Sequence, residues 1–415
     1  MEIEAGFNYS KMKHFLPILI VLLFISCSNG DIDIQDPHQE IKTIQMNFDS
    51  VVDTLYMSDY FSDLEYQQLR TPENRPIGRV RKIMPQGERI AFFDEARKSV
   101  WVFSKEGNYI NEVEIPQGRG PGEIENMTDV IFTDDGLIHA LGTFKVVVYN
   151  LEGNFIREID FNFWVFKFIY DEESDNYIGY ASNSSNRELN NEHSKHNLIY
   201  FDLDGEITES RLPIMHGKHH IAFTIPNNFP VYNSEQYIVS HLTDTLYSID
   251  GTSVNPEYFL DYGENSIPDY TFDQRDNYSN VYHEWLDFMN EEIHSEDYMS
   301  YLNFFNKTDR FIHLRIGSRE NQYNVFYDKQ NKEVQIGPGR MTNDIDFGYV
   351  PFIYESTDEA LYTVIEGNDL LRHLTHIYEN DAEKYRDPRM ERLRELAHSM
   401  DENRNPILQK AIFKK

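Results

Sequence analysis

One sequence unit recurs along this chain and limits its possible folds more than any other feature. The unit consists of an alternating apolar strand, a polar turn and a further strand, and it returns at roughly the 40–50-residue period of a propeller blade. Five copies occupy Val100–Ile110, Val146–Ile156, Leu198–Ile207, Thr245–Val254 and Tyr323–Val334, and a degenerate sixth occupies Ala360–Leu371.

The turns of these units indicate hairpins. Gly107, Gly153, Gly205 and Gly251 occupy equivalent places in the first four copies, and Asn331 replaces the glycine in the fifth. Glycine and asparagine accept the positive φ that tight hairpin turns require. Each unit therefore supplies at least one antiparallel strand pair.

Each repeat also begins with a strand that we expect to line the centre of a ring. These strands are Arg89–Asp94, Leu137–Gly142, Tyr177–Ala181, Tyr237–Leu242 and Phe311–Ile316. Sheets that cannot bury their own faces must stack on neighbours, and a closed ring leaves only short edges. The sequence therefore predicts an all-β fold, a six-bladed β-propeller over residues 41–380. Ile41–Phe48 is the candidate to close the last blade, and a β-sandwich built from hairpins is the alternative.

Two segments depart from the strand pattern. Val281, Trp285 and Ile293 recur at helical spacing and predict a helical insertion at about 268–300. Residues 381–415 are expected to form a C-terminal helical extension and tail, in which Asp387 before Pro388 gives a helix N-cap and first-turn proline. Their apolar faces favour packing on the propeller, with partner docking as the alternative.

The N-terminal segment has the pattern of a bacterial lipoprotein leader. Lysines lead into an apolar run from Phe15 to Ile25, and Ser26 precedes Cys27. We expect residues 1–26 to be a signal peptide, Cys27 to be lipidated, and residues 27–40 to be a flexible tether. An ordinary signal peptide or a short anchor helix is the alternative. This predicts a lipid-anchored protein of the cell envelope, at the outer membrane, on its periplasmic face or at the cell surface.

Composition excludes several classes of function. The formal net charge is -32, and nucleic-acid binding needs a basic face, so no nucleic-acid partner is expected. Cys27 is the only cysteine, so a lipidated chain keeps no thiol for disulfides, metal sites or nucleophilic catalysis.

The leader, the run Gln117–Ile124, the repeat at Asp244–Gly251 and the segment Arg404–Leu408 together resemble the six-bladed β-propeller lipoproteins of Bacteroidetes. These proteins are similar to NHL-repeat propellers. The resemblance extends from about Ile41 to the end of the chain. It implies an envelope protein of a Gram-negative bacterium and implies no reaction.

Two glycine-rich runs are candidate ligand loops. Arg119 lies in Gln117–Ile124, and Arg340 lies in the related run Ile336–Asp344. Closely spaced backbone amides bind anions, and an arginine adds charge, so Arg119 and Arg340 are the ligand-binding candidates. Because both runs follow an outer strand, a plain connection between blades is the competing interpretation.

Histidines are the candidate metal ligands. His139, His241 and His313 fall at similar places in three repeats, so they could converge on the axis and hold a metal ion, or they could be buried polar residues with hydrogen-bond partners. No catalytic residue is assigned, because no nucleophile elbow or carboxylate pair is recognisable.

Two functions follow from these observations. The first is a binding or scaffold module for a glycan, peptide or envelope protein, with no cofactor. The second is a lyase or hydrolase that uses a structural or catalytic metal ion at the propeller axis through the three histidines. A structural subunit of an outer-membrane assembly is a third possibility.

Overall fold

Consecutive hairpins build most of this protein, because each strand ends at a turn that folds the chain back onto its neighbour. The computed structural model describes residues 41–73, 75–189, 191–278, 284–400 and 405–415. The expected leader, Cys27, the tether at 27–40, Val281 and Arg404 lie outside the described residues. Among the described residues the strands form six sheets, named here sheets 1 to 6 in chain order.

The strands have the following bounds. Two precede sheet 1: β1 (Lys42–Gln45) and β2 (Phe61–Gln68). Sheet 1 contains β3 (Val80–Gln86), β4 (Arg89–Asp94), β5 (Ser99–Ser104) and β6 (Tyr109–Glu114). Sheet 2 contains β7 (Asp129–Phe132), β8 (Ile138–Leu141), β9 (Lys145–Tyr149) and β10 (Phe155–Asp160). Sheet 3 contains β11 (Lys167–Asp171), β12 (Asn176–Tyr180), β13 (His196–Phe201) and β14 (Ile207–Pro213).

The remaining sheets continue in the same order. Sheet 4 contains β15 (Val231–Tyr232), β16 (Glu235–Ile238), β17 (Thr245–Asp250) and β18 (Ser253–Asp261). Sheet 5 contains β19 (Tyr301–Lys307), β20 (Phe311–Gly317), β21 (Gln322–Asp328) and β22 (Glu333–Pro338). Sheet 6 contains β23 (Ile353–Ser356), β24 (Ala360–Ile365) and β25 (Ile407–Phe413).

Sheets 1, 2, 3 and 5 are four-stranded antiparallel sheets whose strands follow chain order. Sheets 4 and 6 each recruit one strand from the N-terminal part of the chain. β1 joins the outer edge of sheet 4 parallel to β18, and β2 joins the outer edge of sheet 6 antiparallel to β25.

Two expectations about the ends of the chain are therefore wrong. Ile41–Phe48 does not complete the last sheet, because Ile44 pairs with Leu260 of sheet 4 and shares its buried core. β2 completes sheet 6 instead, with Leu64 opposite Ala411. The expected C-terminal tail contains β25, whose two ladders, to β24 and to β2, hold it inside sheet 6.

The hydrophobic cores lie between successive sheets. Separate clusters of buried side chains join sheets 1 and 2, 2 and 3, 3 and 4, 4 and 5, and 5 and 6. A further cluster joins sheet 6 back to sheet 1, where Trp101 and Phe103 pack with Val364 and Leu408. The sheets thus pack in a closed cycle, which is the arrangement typical of a β-propeller.

The hairpin turns lie where the sequence predicts them. Gly107, Gly153, Gly205 and Gly251 all have positive φ, and each lies between the third and fourth strands of its sheet. At Gly205 a Cβ atom would overlap the carbonyl oxygen of Asp160 in the preceding sheet. Only glycine fits there, because both the backbone conformation and the close approach exclude a side chain.

Helices occupy the turns and connections. The α-helices are α1 (Met57–Tyr60), α2 (Asp269–Asp273), α3 (Glu284–Phe288), α4 (Gly367–Asn380), α5 (Ala382–Arg386) and α6 (Glu391–His398). Single 3-10 turns occupy Phe48–Ser50, Arg187–Leu189, Glu192–Lys195, Gly263–Asn265, Gln274–Asn277 and Pro388–Met390, and a π turn occupies Met289–Ile293. Among the described helices, none is long and apolar enough to cross a bilayer.

Both helical segments pack on their own domain. In the insertion, Phe288 and Ile293 are buried against Ile221 and Leu242. In the C-terminal segment, Leu370 and other apolar side chains of α4 form a buried cluster with α6 and with the ends of β24 and β25. The predicted cap is confirmed: the Asp387 carboxylate accepts a hydrogen bond from the Arg389 amide, immediately before α6.

Candidate functional site

The three candidate metal ligands lie in separate aromatic surroundings. Each is buried, and burial lowers the pKa of His139 and of His313 to about 3 and that of His241 to about 4. His139 is hydrogen-bonded to the Tyr177 hydroxyl at 2.9 Å, and His313 to the Asn324 amide oxygen at 2.9 Å. Within the described residues no group of three His, Cys, Asp or Glu side chains is placed to hold a metal ion.

Arg119 lies in a loop in which the charged groups are hydrogen-bonded to other groups of the same loop. Its guanidinium makes two 2.8 Å hydrogen bonds to the Glu125 carboxylate, and the Gly120 amide donates to the Glu123 carboxylate at 2.8 Å. The loop connects sheets 1 and 2, as the competing interpretation predicts. A carboxylate of the protein itself therefore occupies the place in which an external anion would bind.

A charged cavity lies where the first strands of four sheets meet. β3 contacts both β7 and β23, and β7 contacts β11. These four strands and β15 surround a cavity of about 480 Å³, which we call the axial cavity. The axial cavity is lined by, among others, Lys82, Asp129, Phe168, Asn227, Phe229 and Glu355.

Three buried charges lie together at the axial cavity, and two of them, Lys82 and Asp129, line it. The Asp129 carboxylate lies 3.0 Å from the Lys82 ammonium and 3.3 Å from that of Lys167, and these side chains are 3–10% exposed. The Phe168 amide also donates to Asp129, at 3.4 Å. Burial lowers the pKa of Lys167, and the attraction of Asp129 opposes that effect. One carboxylate thus joins the first strands of three sheets.

Glu355 is a further buried ionisable group that lines the axial cavity. Its carboxylate accepts hydrogen bonds from the Asn227 amide and the Ser356 backbone amide, both at 2.8 Å. Burial raises the pKa of Glu355 to about 7, although these hydrogen bonds and the charge of Lys82 act in the opposite direction. Glu355 can therefore exchange a proton near neutral pH.

Local irregularities of the strands place two of these groups in the cavity. The register of β3 against β4 shifts between Val80 and Lys82, and that of β23 against β24 shifts between Ile353 and Glu355. A bulge of this kind interrupts the alternation of a strand and re-aims the side chain that follows. Lys82 and Glu355, which directly follow these shifts, both line the axial cavity.

The mouth of the axial cavity is acidic. Asp134, Glu172 and Asp358 are exposed, and each follows the first strand of its sheet. The same rim carries the amides of Gln86 and Gln236. Cavities that bind ligands typically combine aromatic walls with a few polar groups in fixed positions.

Comparison with known proteins places the chain in a family. Its sequence matches the family described as a domain of unknown function, DUF4934, over residues 41–411. The chain belongs to the DUF4934 family. No curated protein matches its sequence.

Two solved structures resemble this DUF4934 protein at low sequence identity. A predicted exported protein of Bacteroides fragilis NCTC 9343 superposes with a TM-score of 0.71 at 18% identity, covering 91% of this chain and 100% of that chain. A DUF4221 protein of Bacteroides vulgatus superposes with a TM-score of 0.47 at 12% identity, covering 85% and 97% of the two chains. The first of these likenesses establishes a shared fold and nothing about activity.

Arg340, the second candidate ligand residue of this DUF4934 protein, is exposed and lies beside a smaller cavity. Its guanidinium is 5.2 Å from the centre of the Tyr349 ring. The cavity has a volume of about 220 Å³ and lies between sheets 5 and 6, with Arg315 of β20 also in its wall. We call it the Arg315 cavity. The rest of its wall is mainly apolar and includes Met57, Met341, Val350, Phe352, Leu361 and Ala411.

Sequence reasoning missed the charged residues of the axial cavity, because it took the second strand of each sheet as the innermost one. The actual first strands carry a charge next to apolar residues, as at Lys82, Asp129 and Lys167. One sequence feature could have identified these residues: a charge inside or at the start of an apolar strand, repeated in three consecutive units. Arg315 was missed for a related reason, since one arginine within Phe311–Gly317 resembles an ordinary outward-facing residue.

Proposed function

We propose that this protein is a lipid-anchored, six-bladed β-propeller of the cell envelope that binds a glycan in its axial cavity. The six sheets act as blades in this proposal, and their closed cycle of inter-sheet cores supports it. The likeness in fold to a predicted exported protein of Bacteroides supports an origin among the Bacteroidetes propeller lipoproteins related to NHL-repeat proteins.

Anchoring rests on the leader sequence. The apolar run followed by Ser26 and Cys27 supports export, cleavage and lipidation, and thereby attachment to the outer membrane. We expect the expressed full-length chain to incorporate labelled palmitate and to fractionate with membranes, and Cys27→Ala to lose both properties. A Cys27→Ala chain that still carries label would refute lipidation at this residue.

One observation carries the binding proposal: a cavity of about 480 Å³ combines aromatic walls with amide and carboxylate groups. Sugars bind through hydroxyl groups that need such donors and acceptors, and through apolar ring faces that pack on aromatic side chains. The exposed carboxylates at Asp134, Glu172 and Asp358 favour neutral or amine-bearing sugars and disfavour acidic ones, since like charges repel.

The test uses the folded chain and calorimetric titration with three oligosaccharide classes: neutral, amino-sugar and sialylated. We expect neutral or amino-sugar oligomers to bind, and sialylated oligomers to bind at least about tenfold more weakly. Combined Asp134→Asn, Glu172→Gln and Asp358→Asn changes should reduce or abolish that preference. Glu383→Gln on α5, an exposed acid far along the chain, is the matched control.

The alternatives give different results. Binding of basic peptides without any oligosaccharide would favour a peptide-binding module. If no probe binds, or if the triple variant binds every probe as the wild type does, the axial cavity is not the binding site.

A further inference from the structure

Arg315 is a largely buried cation without a carboxylate partner. Its Nη2 donates to the Gly339 carbonyl oxygen at 3.4 Å, and its guanidinium lies 5.4 Å from the centre of the Phe352 ring. None of the ion pairs within the described residues includes Arg315. Burial lowers the pKa of Arg315, which reflects the cost of holding this charge away from water.

Several other cations of this protein have carboxylate partners. Lys82 and Lys167 share Asp129, and Arg310, in the same sheet as Arg315, pairs with Asp328 at 3.0 Å. A buried arginine that lacks such a partner is costly, because the charge is desolvated without compensation. This cost suggests that something outside the chain completes the site.

The Arg315 cavity has the composition of a site for a small amphipathic anion. Two arginines, Arg315 and Arg340, line it, and no aspartate or glutamate does so, although the chain has 70 acidic and 38 basic residues. Its remaining wall is mostly apolar. The volume of about 220 Å³ is below the roughly 300–1,000 Å³ of cavities that hold drug-sized ligands, so the occupant is small.

Polar groups near Arg315 are already committed to the protein. The Asn324 amide donates to the Pro338 carbonyl oxygen at 2.9 Å, and the Thr363 hydroxyl donates to Gln409 at 2.9 Å. The unused hydrogen-bonding capacity of the cavity is therefore concentrated in its two arginines, of which Arg315 is the more enclosed. Its planar fork of donors matches a carboxylate, which accepts two parallel hydrogen bonds.

We propose that the Arg315 cavity binds a carboxylate attached to a small apolar body, either a free carboxylic acid or the C-terminal residue of a peptide. Arg315 binds the carboxylate, the apolar side chains contact the body, and Arg340 at the entrance attracts the anion. Phe352, which is 71% exposed at the edge of the cavity, is placed to cover the bound ligand. This site is independent of the axial cavity and of the glycan proposal.

Four probes test the proposal by ligand-observed NMR and calorimetry on the full chain. They are 3-phenylpropionate, its uncharged amide, the tripeptide Ala-Ala-Phe with a free C-terminus, and the same tripeptide amidated. We expect at least one acid to bind with a Kd in the micromolar-to-millimolar range, and its amide to bind about tenfold or more weakly. Binding of only one acid identifies the source of the carboxylate.

Variants separate a ligand site from a structural role. Arg315→Met should abolish acid binding while the melting temperature without ligand stays equal or rises, because an uncompensated buried charge is removed. Arg315→Lys keeps the charge but loses the planar fork, and we expect about tenfold weaker binding. Arg310→Met is the matched control and should bind as the wild type does.

Three results would overturn the proposal. They are equal binding of an acid and its amide, undiminished acid binding by both Arg315 variants, and absence of binding by all four probes. The triple variant of the axial rim should bind the acids normally, so failure of the glycan proposal and failure of this one are distinguishable.

Discussion

Replacing Glu355 with glutamine should change how the stability of this protein depends on pH. Glu355 is 9% exposed and accepts hydrogen bonds from Asn227 and Ser356. Its burial raises the pKa from 4.5 to about 7. The native state therefore keeps a proton over a pH range in which the unfolded chain has already lost it.

The sign and size of the effect follow from this difference. Between pH 4.5 and pH 7 the unfolded state binds fewer protons than the native state, so the free energy of unfolding falls as pH rises. A rise in pKa from 4.5 to about 7 corresponds to about 3 kcal/mol in the free energy of unfolding. This contribution is present below pH 4.5 and lost above pH 7. Glutamine does not ionise, although it offers one acceptor fewer, which costs about 1 kcal/mol at every pH.

Denaturant unfolding of wild type and Glu355→Gln, below pH 4.5 and above pH 7, measures this difference. We expect the variant to be slightly less stable in acid and more stable in base, with a swing of about 3 kcal/mol. Other titrating groups cancel, because both chains carry them. Glu359→Gln, at an exposed acid in the turn between β23 and β24, is the matched control. Parallel pH profiles for wild type and Glu355→Gln would refute the reasoning.

Three further predictions concern the fold. Asp129→Asn should cost about 3–5 kcal/mol in denaturant unfolding, because two buried lysines lose their carboxylate, and a loss below about 1 kcal/mol would contradict this. Gly251→Ala should lower the free energy of unfolding by about 1 kcal/mol, because alanine is strained at its φ of +55 but would meet no neighbouring atom. Gly205→Ala should lower it clearly more, because its Cβ would also overlap Asp160. Equal melting temperatures of the two variants would contradict this. His139→Phe should make the free energy of unfolding less dependent on pH in acid. In the wild type, the lowered pKa of His139 costs up to about 5 kcal/mol of stability as pH falls from 6.5 to about 3. An unchanged acid dependence in the variant would exclude His139 as its cause.

Turn chemistry explains why much of the fold could be predicted from the sequence. Gly107 and Gly153 need positive φ, and glycine provides it wherever it occurs, so the hairpins follow from local sequence. The cap at Asp387 before Pro388 is local in the same sense. These features depend on residues within a few positions of one another.

Contacts between distant residues account for what could not be predicted. Whether Ile44 or Leu64 completes sheet 6 depends on partners more than two hundred residues away, since Ile44 pairs with Leu260 and Leu64 with Ala411. The inward orientation of Glu355 depends on a bulge that leaves no recognisable sequence pattern. Among the described residues no acid forms an ion pair with Arg315, and that property belongs to the assembled sheets.

The pairing of β2 with β25 has a consequence for how this protein reaches its native state. Tyr66 and Gln409 are 343 residues apart in sequence, and joining them costs about 5 kcal/mol of chain entropy by the logarithmic loop-closure relation. Sheets 1, 2, 3 and 5 consist of hairpins between strands that are close in sequence. In sheet 6, by contrast, β2 can pair only after β25, hundreds of residues later in the chain, has been synthesised. Until then β2 exposes an unpaired edge to any other extended segment. Incorrect pairing at this edge therefore remains open to the chain until β25 has paired with β2.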